Sequence, residues 1–454
     1  MASLNSNPVR AGFYTLGCKL NQVESEALAS SFRSQGFCVS PVSEKADLFI
    51  INSCTVTSKS EQKTRRMIRK FSSENPDSVL IVTGCYAEMD PDKIKNIDPD
   101  IIVLSNENKD ILLDLPLEIT GRPGKKKDWM RDLRKRIDKL LAGKDKNAPC
   151  ASFRFNTNFY NFHARAFLKI QDGCDNKCSY CRVTLARGKS VSYGSDEIIK
   201  RIRAVEGNGY SEVVLTGVNI CSYREAGMTL SDLVQKILDN TDSIRLRLSS
   251  LEPDTIDEKL SRVLKSKRIC PHFHISLQSG SDDVLKLMKR KYLADKITEG
   301  VSFLRKIHED PFIGADVIAG FPGETEEDFK TTYDLVEKLE FSDIHVFKYS
   351  SRPGTSAASM ENHIPEIIKK RRVKLLNELS KRLLREYTKR WAGRYVDVVI
   401  EDEVNSGEWR GVSENYLRLI VRNVPEEYGH SGKICRVRIK TGEDIRSGRF
   451  ISGV

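Results

Sequence analysis

The densest chemical signal in the sequence is a set of three cysteines within eight positions. Residues 171–183 read QDGCDNKCSYCRV, so Cys174, Cys178 and Cys181 share one loop. Thiolates this close together can hold a soft metal centre. Structural zinc normally completes four protein ligands, but the next cysteine or histidine along the chain is Cys221. A four-iron cluster held by three cysteines has one iron without a protein ligand, and that iron can bind a small molecule. The loop is therefore compatible with either a zinc site or an iron–sulfur cluster.

A second set of three cysteines is spread through the first ~120 residues. Cys18, Cys54 and Cys85 lie 36 and 31 residues apart, and they end the apolar runs AGFYTLGC, ADLFIINSC and SVLIVTGC. Such short runs, separated by helical segments such as VESEALASSFRSQG and EQKTRRMIRKFSSE, predict buried parallel strands alternating with helices. Because the carboxyl ends of parallel strands meet along one edge, we expect these cysteines to share a metal site.

From residue 166 onward the strand-then-helix alternation resumes. Six strands are predicted, in AFLKIQDG, EVVLTGVN, IRLRLSS, HFHISLQSG, PFIGADVIAG and DIHVFKYS. This order predicts a parallel barrel or partial barrel with its chemistry at the carboxyl ends of the strands. Beyond Trp391 the period changes to two, in RYVDVVIEDEV, YLRLIVRNV and KICRVRIKTG, which predicts a small all-β barrel.

Length, composition and charge narrow the class of protein. A chain of 454 residues with 39% hydrophobic and 30% charged residues predicts a globular protein of several domains. No apolar run approaches the roughly 18 residues of a membrane span, and the start lacks a secretory pattern, so we expect a cytoplasmic protein. In that compartment the eleven cysteines are not expected to form structural disulfides.

The net charge of +11 indicates a polyanionic partner. Residues 121–147 hold eleven Lys/Arg against four Asp, and residues 366–390 hold ten Lys/Arg against three Glu. Two solvated helix faces would give the same composition, so contact with phosphate remains one of two interpretations.

The three-cysteine loop, with Tyr180 just before its last cysteine, resembles the radical S-adenosylmethionine (SAM) signature. In that superfamily the free iron binds SAM, and one electron cleaves SAM to a 5′-deoxyadenosyl radical. The segments LTGVN, LQSGSDDVL and GADVIAGFPGETEEDF resemble its later strand ends. Taken alone, Gly320 and Gly323 could instead form a turn before a helix capped by Thr325 and Asp328. The resemblance implies SAM contacts from Tyr180, Thr216, Gly217, Asn219, Ser279, Gly320 and Gly323.

The segments LGCKLNQVESE, INSCTVTSKS and TGCYAEMDP resemble the N-terminal domain of radical SAM methylthiotransferases. The resemblance implies two 4Fe–4S clusters: an auxiliary one on Cys18, Cys54 and Cys85, and the radical SAM one on Cys174, Cys178 and Cys181. GCKLNQVE and GADVIAGFPGET are most similar to the branch that acts on N6-threonylcarbamoyladenosine beside the anticodon of tRNA. The implied reaction attaches a methylthio group to carbon 2 of that base at position 37, with SAM as both methyl donor and radical source.

The predicted fold class is α/β with four regions. These are an N-terminal parallel α/β methylthiotransferase domain (9–121), a basic linker (122–159), a partial (β/α)6 radical SAM core (160–390) and a small all-β barrel resembling a TRAM RNA-binding domain (392–454). Arg436, Arg438 and Lys440 alternate onto one face of a strand and are candidate RNA contacts, although such residues also serve solubility. The seven histidines show no ligand spacing, and His272 and His274 are expected to be packed.

The expected partners are the anticodon stem-loop of tRNA and an electron-donor protein such as flavodoxin or ferredoxin. We expect a monomer with no membrane association. One alternative keeps the reaction but places it on isopentenyladenosine or on an aspartate of a ribosomal protein. Another is a non-catalytic, zinc-bearing RNA-binding protein, which iron and sulfide analysis would exclude.

Overall fold

The computed structural model describes residues 8–40, 45–119, 124–144, 151–160, 162–424, 432–440 and 448–451. The chain divides into two units. The first comprises Met1–Phe162, Asp172–Asp175 and Cys181–Tyr193, and the second comprises His163–Gln171, Asn176–Tyr180 and Gly194–Val454. Cys150 lies outside the described residues.

A five-stranded parallel sheet forms the centre of the first unit. Its strands, in the order β2–β1–β3–β4–β5, are β1 (Arg10–Thr15), β2 (Cys38–Ser40), β3 (Leu48–Ser53), β4 (Val79–Gly84) and β5 (Ile102–Val103). The helices are α1 (Lys19–Ser34), α2 (Ser58–Glu74), α3 (Cys85–Met89), α4 (Pro91–Lys95), α5 (Leu115–Glu118), α6 (Lys126–Ala142) and α7 (Val183–Arg187). The short strands β7 (Gln171–Asp172) and β8 (Val191–Ser192) flank the three-cysteine loop in sequence.

Both faces of this sheet are covered, as its unbroken apolar strands predict. Ile50 packs in one core cluster with Phe32 of α1, whereas the next residue, Ile51, packs in a second cluster with Ile68 and Phe71 of α2. Burial of each such side chain stabilises the fold by ~1.5–3 kcal/mol. The sheet is therefore fixed on both sides, and its strand ends are held in register.

Six parallel strands of the second unit form two three-stranded sheets, in the orders β10–β9–β6 and β11–β12–β13. A parallel bridge between Leu251 and Ile275 joins the two sheets. The strands are β6 (Ala166–Lys169), β9 (Glu212–Thr216), β10 (Arg245–Leu248), β11 (His272–Gln278), β12 (Phe312–Ala319) and β13 (Asp343–Lys348). All six predicted strands are confirmed.

Helices alternate with these strands, as expected for a (β/α)6 arrangement. They are α8 (Ser195–Gly207), α9 (Leu230–Asp239), α10 (Glu258–Leu264), α11 (Asp282–Leu287), α12 (Ala294–Ile307), α13 (Glu326–Lys338) and α14 (Glu366–Arg390). Leu376, Leu379 and Leu383 of α14 are buried, whereas Leu375 is exposed. Among the described residues, no helix is long and apolar enough to cross a membrane.

The C-terminal strands close into a small barrel in the order β14–β15–β16–β18–β17. They are β14 (Tyr395–Asn405), β15 (Glu408–Ser413), β16 (Arg418–Arg422), β17 (Ile434–Ile439) and β18 (Gly448–Ile451). Val398, Val421 and Val437 are fully buried in its core. The predicted all-β barrel is therefore confirmed.

A buried ion cluster joins this barrel to β9 and β10. Glu212 accepts hydrogen bonds from Arg247 at 2.7 and 3.0 Å and from Arg245 at 2.8 Å. The same Arg247 guanidinium donates to the Ser413 and Glu414 carbonyls of the barrel, at 3.0 and 3.1 Å. Burial alone would raise the pKa of Glu212, but Arg247 and Arg245 hold it well below its ordinary value. Glu212 is therefore a fixed anion that neutralises part of this positive charge.

Candidate functional site

Cys18, Cys54 and Cys85 follow the carboxyl ends of β1, β3 and β4, which are neighbours in the sheet. The register pairs Thr15 with Asn52 and Asn52 with Thr83, so the three strands end in one row. The fold thus brings residues that are 36 and 31 positions apart to one edge. The predicted placement of each cysteine at a strand end is confirmed.

Glycines shape the turns before two of these cysteines. Gly17 and Gly84 have φ angles of 107° and 92°, a left-handed backbone that other residues rarely adopt. A Cβ atom at Gly17 would lie 2.7 Å from the Cβ of Cys54, and one at Gly84 would lie 2.5 Å from the Asn52 side-chain oxygen. Only glycine lets the chain turn this closely beside Cys54.

The three thiols differ in exposure. Cys18 is exposed, whereas Cys54 and Cys85 are buried. Burial, with Cys18 and Cys85 nearby, raises the pKa of Cys54 to about 12, although the Val56 amide opposes the shift. Burial likewise raises the pKa of Cys85, against the opposing effect of Arg187 and Lys109. Without a metal the Cys54 and Cys85 thiols stay protonated, and binding a metal cation is what favours their thiolate form.

A buried ion network lies beside the auxiliary cysteines within the first unit. Glu24 pairs with Lys109 at 2.5 Å and with Arg187 at 3.0 Å, and Arg187 also pairs with Asp172 at 3.0 Å. The Asn21 side chain accepts a hydrogen bond from Arg187 at 2.7 Å and donates to backbone carbonyls at the ends of β1 and β3. This network fixes the start of α1 relative to α7. Sequence reasoning missed it, because Glu24 and Arg187 lie 163 positions apart.

The radical-loop cysteines are distributed over the two units. In the first unit, the Cys174 amide donates to the Gly188 carbonyl at 3.1 Å, and the Cys181 sulfur accepts from the Val183 amide at 3.4 Å. Helix α7, which begins two residues after Cys181, contacts α3, whose first residue is Cys85. Cys178 belongs to the second unit.

Arg290 holds the sulfur of Cys178 within the second unit. Its guanidinium lies 3.1 Å from the Cys178 sulfur and pairs with the partly buried carboxylate of Glu252. It also donates to the Tyr292 hydroxyl at 2.9 Å, and that hydroxyl donates to the Ser276 carbonyl of β11. Cys178 is thus tied to a barrel strand. Sequence reasoning missed this residue because MKRKYL carries no metal-ligand pattern.

The residues predicted to contact SAM lie at the carboxyl ends of second-unit strands or on the cysteine loop. Thr216 ends β9, and the Gln171 side-chain oxygen accepts from the Asn219 amide at 2.9 Å. A Cβ at Gly217 would lie 2.8 Å from that same oxygen, so a larger residue would disturb this loop. Tyr180 packs edge-to-face with Phe321, which follows β12.

The strand ends after β11 and β12 are also shaped by hydrogen bonds. Ser279 is fully buried, and its hydroxyl lies 3.1 Å from that of Thr332. The Gly320 amide donates to Glu324 at 2.7 Å. Gly320 and Gly323 both have positive φ and precede a helix whose capping box is formed by Thr325 and Asp328, as the turn interpretation predicted.

Arg436, Arg438 and Lys440 are exposed along β17 and just beyond it, alternating with buried residues. The Arg436 guanidinium lies over the Tyr395 ring at 5.8 Å, and Tyr395 is itself half exposed. Cations beside an exposed aromatic ring suit stacked, single-stranded bases. The predicted alternation is confirmed; a contact with RNA stays a prediction.

Comparison with known proteins decides the family. Residues 10–105 match a family described as uncharacterized protein family UPF0004, and residues 168–336 match the radical SAM superfamily. Threonylcarbamoyladenosine tRNA methylthiotransferase MtaB of Treponema pallidum is 37% identical over 94% of this chain and 97% of its own length. The protein of that name from Thermotoga maritima is 38% identical over 89% of both chains. The chain belongs to the radical SAM methylthiotransferases.

A solved structure agrees with this family at the level of the fold. The radical S-adenosylmethionine methyltransferase TsrM from Kitasatospora setae superposes with a TM-score of 0.52 over 77% of this chain and 75% of its own. Sequence identity is 13%, so the likeness concerns the fold alone. As a radical SAM methylthiotransferase, the chain is an enzyme whose cofactors are SAM and 4Fe–4S clusters.

The side chains present fit such cofactors. Thiolates are the ligands that iron–sulfur clusters take from proteins, and three of them stand at neighbouring strand ends. The Arg290 hydrogen bond to the Cys178 sulfur is of the kind that orients and tunes a metal ligand.

Proposed function

We propose that this methylthiotransferase attaches a methylthio group to carbon 2 of N6-threonylcarbamoyladenosine at position 37 of tRNA. One observation carries the proposal: Cys18, Cys54 and Cys85 stand at the ends of three adjacent strands, in addition to the radical-loop cysteines. Radical generation requires only the cluster on the three-cysteine loop. The second set of cysteines therefore has another task, which we propose is the delivery of sulfur. The names of the relatives support the choice of base.

The proposed ligands follow from this placement. Cys18, Cys54 and Cys85 would hold an auxiliary 4Fe–4S cluster, and the three loop cysteines would hold the cluster that binds SAM. When bound, the two clusters and SAM would supply the methyl group, the sulfur and the 5′-deoxyadenosyl radical. The radical is needed because the C–H bond at carbon 2 is unactivated. Further proposed SAM contacts are Tyr180, Thr216, Gly217, Asn219, Ser279, Gly320 and Gly323.

The chain's own residues orient these ligands. Asn21 and Arg187 link the ends of β1 and β3 to α7, the helix after Cys181, so they fix the ligand-bearing turns of the first unit. Arg290 orients Cys178, and Gln171 fixes the loop of Gly217 through the Asn219 amide. Each of these contacts restricts a cysteine or a loop before the cofactor binds, so less conformational entropy is lost on binding.

Substrate binding is assigned to the C-terminal region. In this proposal residues 392–454 form the RNA-binding domain, 9–121 the auxiliary-cluster domain, 122–159 the basic linker and 160–390 the radical SAM core. The partner is the anticodon stem-loop of tRNA. A flavodoxin or ferredoxin supplies electrons, and the enzyme acts as a cytoplasmic monomer.

The test is anaerobic turnover of the reconstituted protein with SAM, a reductant and tRNA that carries N6-threonylcarbamoyladenosine. We expect 5′-deoxyadenosine, S-adenosylhomocysteine and the methylthio nucleoside together. Cys54→Ala should lose about half of the roughly eight irons expected for two clusters and form no methylthio nucleoside, while it still cleaves SAM. Cys178→Ala should stop formation of 5′-deoxyadenosine.

Matched substrates make the test specific. The same tRNA with unmodified adenosine, or with isopentenyladenosine, should give no methylthio product. Methylthiolation of isopentenyladenosine alone would move the activity to the other tRNA branch. Colourless protein that contains zinc and no iron would contradict the proposed chemistry altogether.

A further inference from the structure

Three side chains on neighbouring strands of the second unit converge on one another. The Nε2 atom of His274 lies 2.9 Å from the Oδ1 atom of Asp316, and the Nδ1 atom of His345 lies 3.5 Å from the same oxygen. One potential ligand atom from each of the three residues lies within 4.8 Å of the others. We call these residues the His–Asp–His cluster.

Strand register explains why the cluster forms. Asp316 of β12 is paired with His345 of β13, so their side chains leave the sheet side by side. His274 of β11 is paired with Gly314, two residues before Asp316. A Cβ on Gly314 would lie 3.0 Å from the His274 Nδ1 atom, so glycine leaves room for the ring to lie across β12 and reach Asp316.

The cluster occupies the less buried face of this sheet. Ile275, Ala315 and Val317 point to the opposite face and are completely buried, whereas His274 and Asp316 are only partly buried. The His345 side chain keeps 57% of its surface exposed. Ions and small ligands therefore have access to the cluster from solvent.

The donor set and its spacing are those of an open metal site. Zinc binds imidazole nitrogen and carboxylate oxygen at ~2.0–2.2 Å, which places neighbouring donors roughly 3–3.5 Å apart. The His345–Asp316 separation of 3.5 Å falls in that range, and the His274–Asp316 separation of 2.9 Å is just below it. Two histidines and one carboxylate with further positions open also form the ligand set of catalytic zinc and of non-haem iron.

We propose that His274, Asp316 and His345 bind one divalent transition-metal ion, such as zinc, with at least one coordination position open to an oxygen ligand. The site contains no cysteine, so it is chemically distinct from the proposed iron–sulfur centres. It does not depend on the identity of the modified base. Failure of this proposal would leave the proposed tRNA modification untouched.

The experiment uses full-length protein whose six cluster cysteines have been loaded with iron and sulfide, because empty thiolates would themselves bind zinc. Zinc chloride is titrated anaerobically by calorimetry, and the bound metal is examined by zinc X-ray absorption. We expect one zinc per chain, with nitrogen and oxygen neighbours at ~2.0–2.2 Å and no sulfur at ~2.3 Å.

Variants locate the site. His345→Gln changes an exposed side chain and should weaken zinc binding by about 10-fold or more, and Asp316→Asn should do the same. His363→Gln replaces another exposed histidine of the second unit and should bind zinc as the unaltered protein does. Absence of zinc binding, sulfur ligation, or equal affinity in His345→Gln and Asp316→Asn would overturn the proposal.

Discussion

The guanidinium of Arg290 joins a proposed cluster ligand, Cys178, to the partly buried carboxylate of Glu252. A charged N–H donor directed at a thiolate stabilises the more negative, reduced form of an iron–sulfur cluster and so raises its reduction potential. Arginine suits this position because its planar fork contacts Cys178 and Glu252 through two separate nitrogens in a fixed geometry, which the single nitrogen of lysine does not reproduce.

We therefore expect Arg290→Lys to lower the midpoint potential of the radical SAM cluster without loss of iron. Weakening the hydrogen bond by ~1 kcal/mol corresponds to roughly 40 mV for a one-electron couple. A redox titration followed by electron paramagnetic resonance measures the shift. Arg262→Lys, at an exposed position on α10, is the control and should leave the potential unchanged. An unaltered potential in Arg290→Lys would show that the contact is only structural.

At the scale of elements, Glu212 compensates the charge of two arginines that join β9 and β10 to the C-terminal barrel. Glu212 and Arg247 have no exposed side-chain surface, and Arg245 is almost fully buried. Removal of one partner from a buried ion cluster costs far more than removal of a surface charge, because the remaining charges lose their compensation.

Glu212→Gln should therefore lower the free energy of unfolding by ~3–5 kcal/mol. Because Arg247 and Arg245 depress the pKa of Glu212 in the folded protein despite its burial, its contribution is complete above the unfolded-state pKa of ~4.3. That contribution is lost as pH falls further toward the folded-state pKa. Denaturant unfolding at several pH values between roughly pH 3 and pH 7 measures both the loss of stability in Glu212→Gln and its dependence on pH.

Glu258→Gln is the matched control for that substitution, since Glu258 is exposed and forms a surface ion pair with Arg262. Its effect should stay within ~0.5 kcal/mol. If Glu212→Gln were equally mild, or as sensitive to acid as the unaltered protein, the buried cluster would not be what holds the join together.

For the whole molecule, the net charge of +11 is unevenly distributed. Residues 392–454 carry ten Lys/Arg and ten Asp/Glu, so an RNA contact there depends on where charges lie rather than on their sum. The exposed face of β17, with Arg436 and Arg438, concentrates positive charge beside Tyr395. Residues 366–390 carry a larger excess of positive charge on one long helix.

Replacing Arg436, Arg438 and Lys440 together by Gln should weaken tRNA binding and make it less sensitive to salt. Each lost phosphate contact should reduce the slope of log affinity against log salt by ~0.7, so three contacts reduce it by roughly 2. Filter binding at several salt concentrations measures the slope. Replacing Lys259, Arg262 and Lys265 of the α10 region removes the same charge elsewhere. If both triple variants lost the same tRNA affinity, the effect would come from net charge and not from the face of β17.

Local patterns in the sequence determined the elements and the cysteine placement. Short apolar runs fixed the strands, and their endings at Cys18, Cys54 and Cys85 were visible because parallel strands share one edge. Alternation along β17 likewise predicted which of Arg436 and Val437 is exposed. These features depend on neighbours within a few residues, which the sequence displays directly.

Only the tertiary structure decided which distant charged and polar residues meet. His274 was expected to be packed, yet register across three strands brings it to Asp316 and His345, 42 and 71 positions away. Arg290 likewise reaches Cys178 across 112 positions. Such contacts depend on strand order and on the direction of each side chain, and neither can be deduced from the type of a single residue. They form only when the folded backbone brings distant strands together.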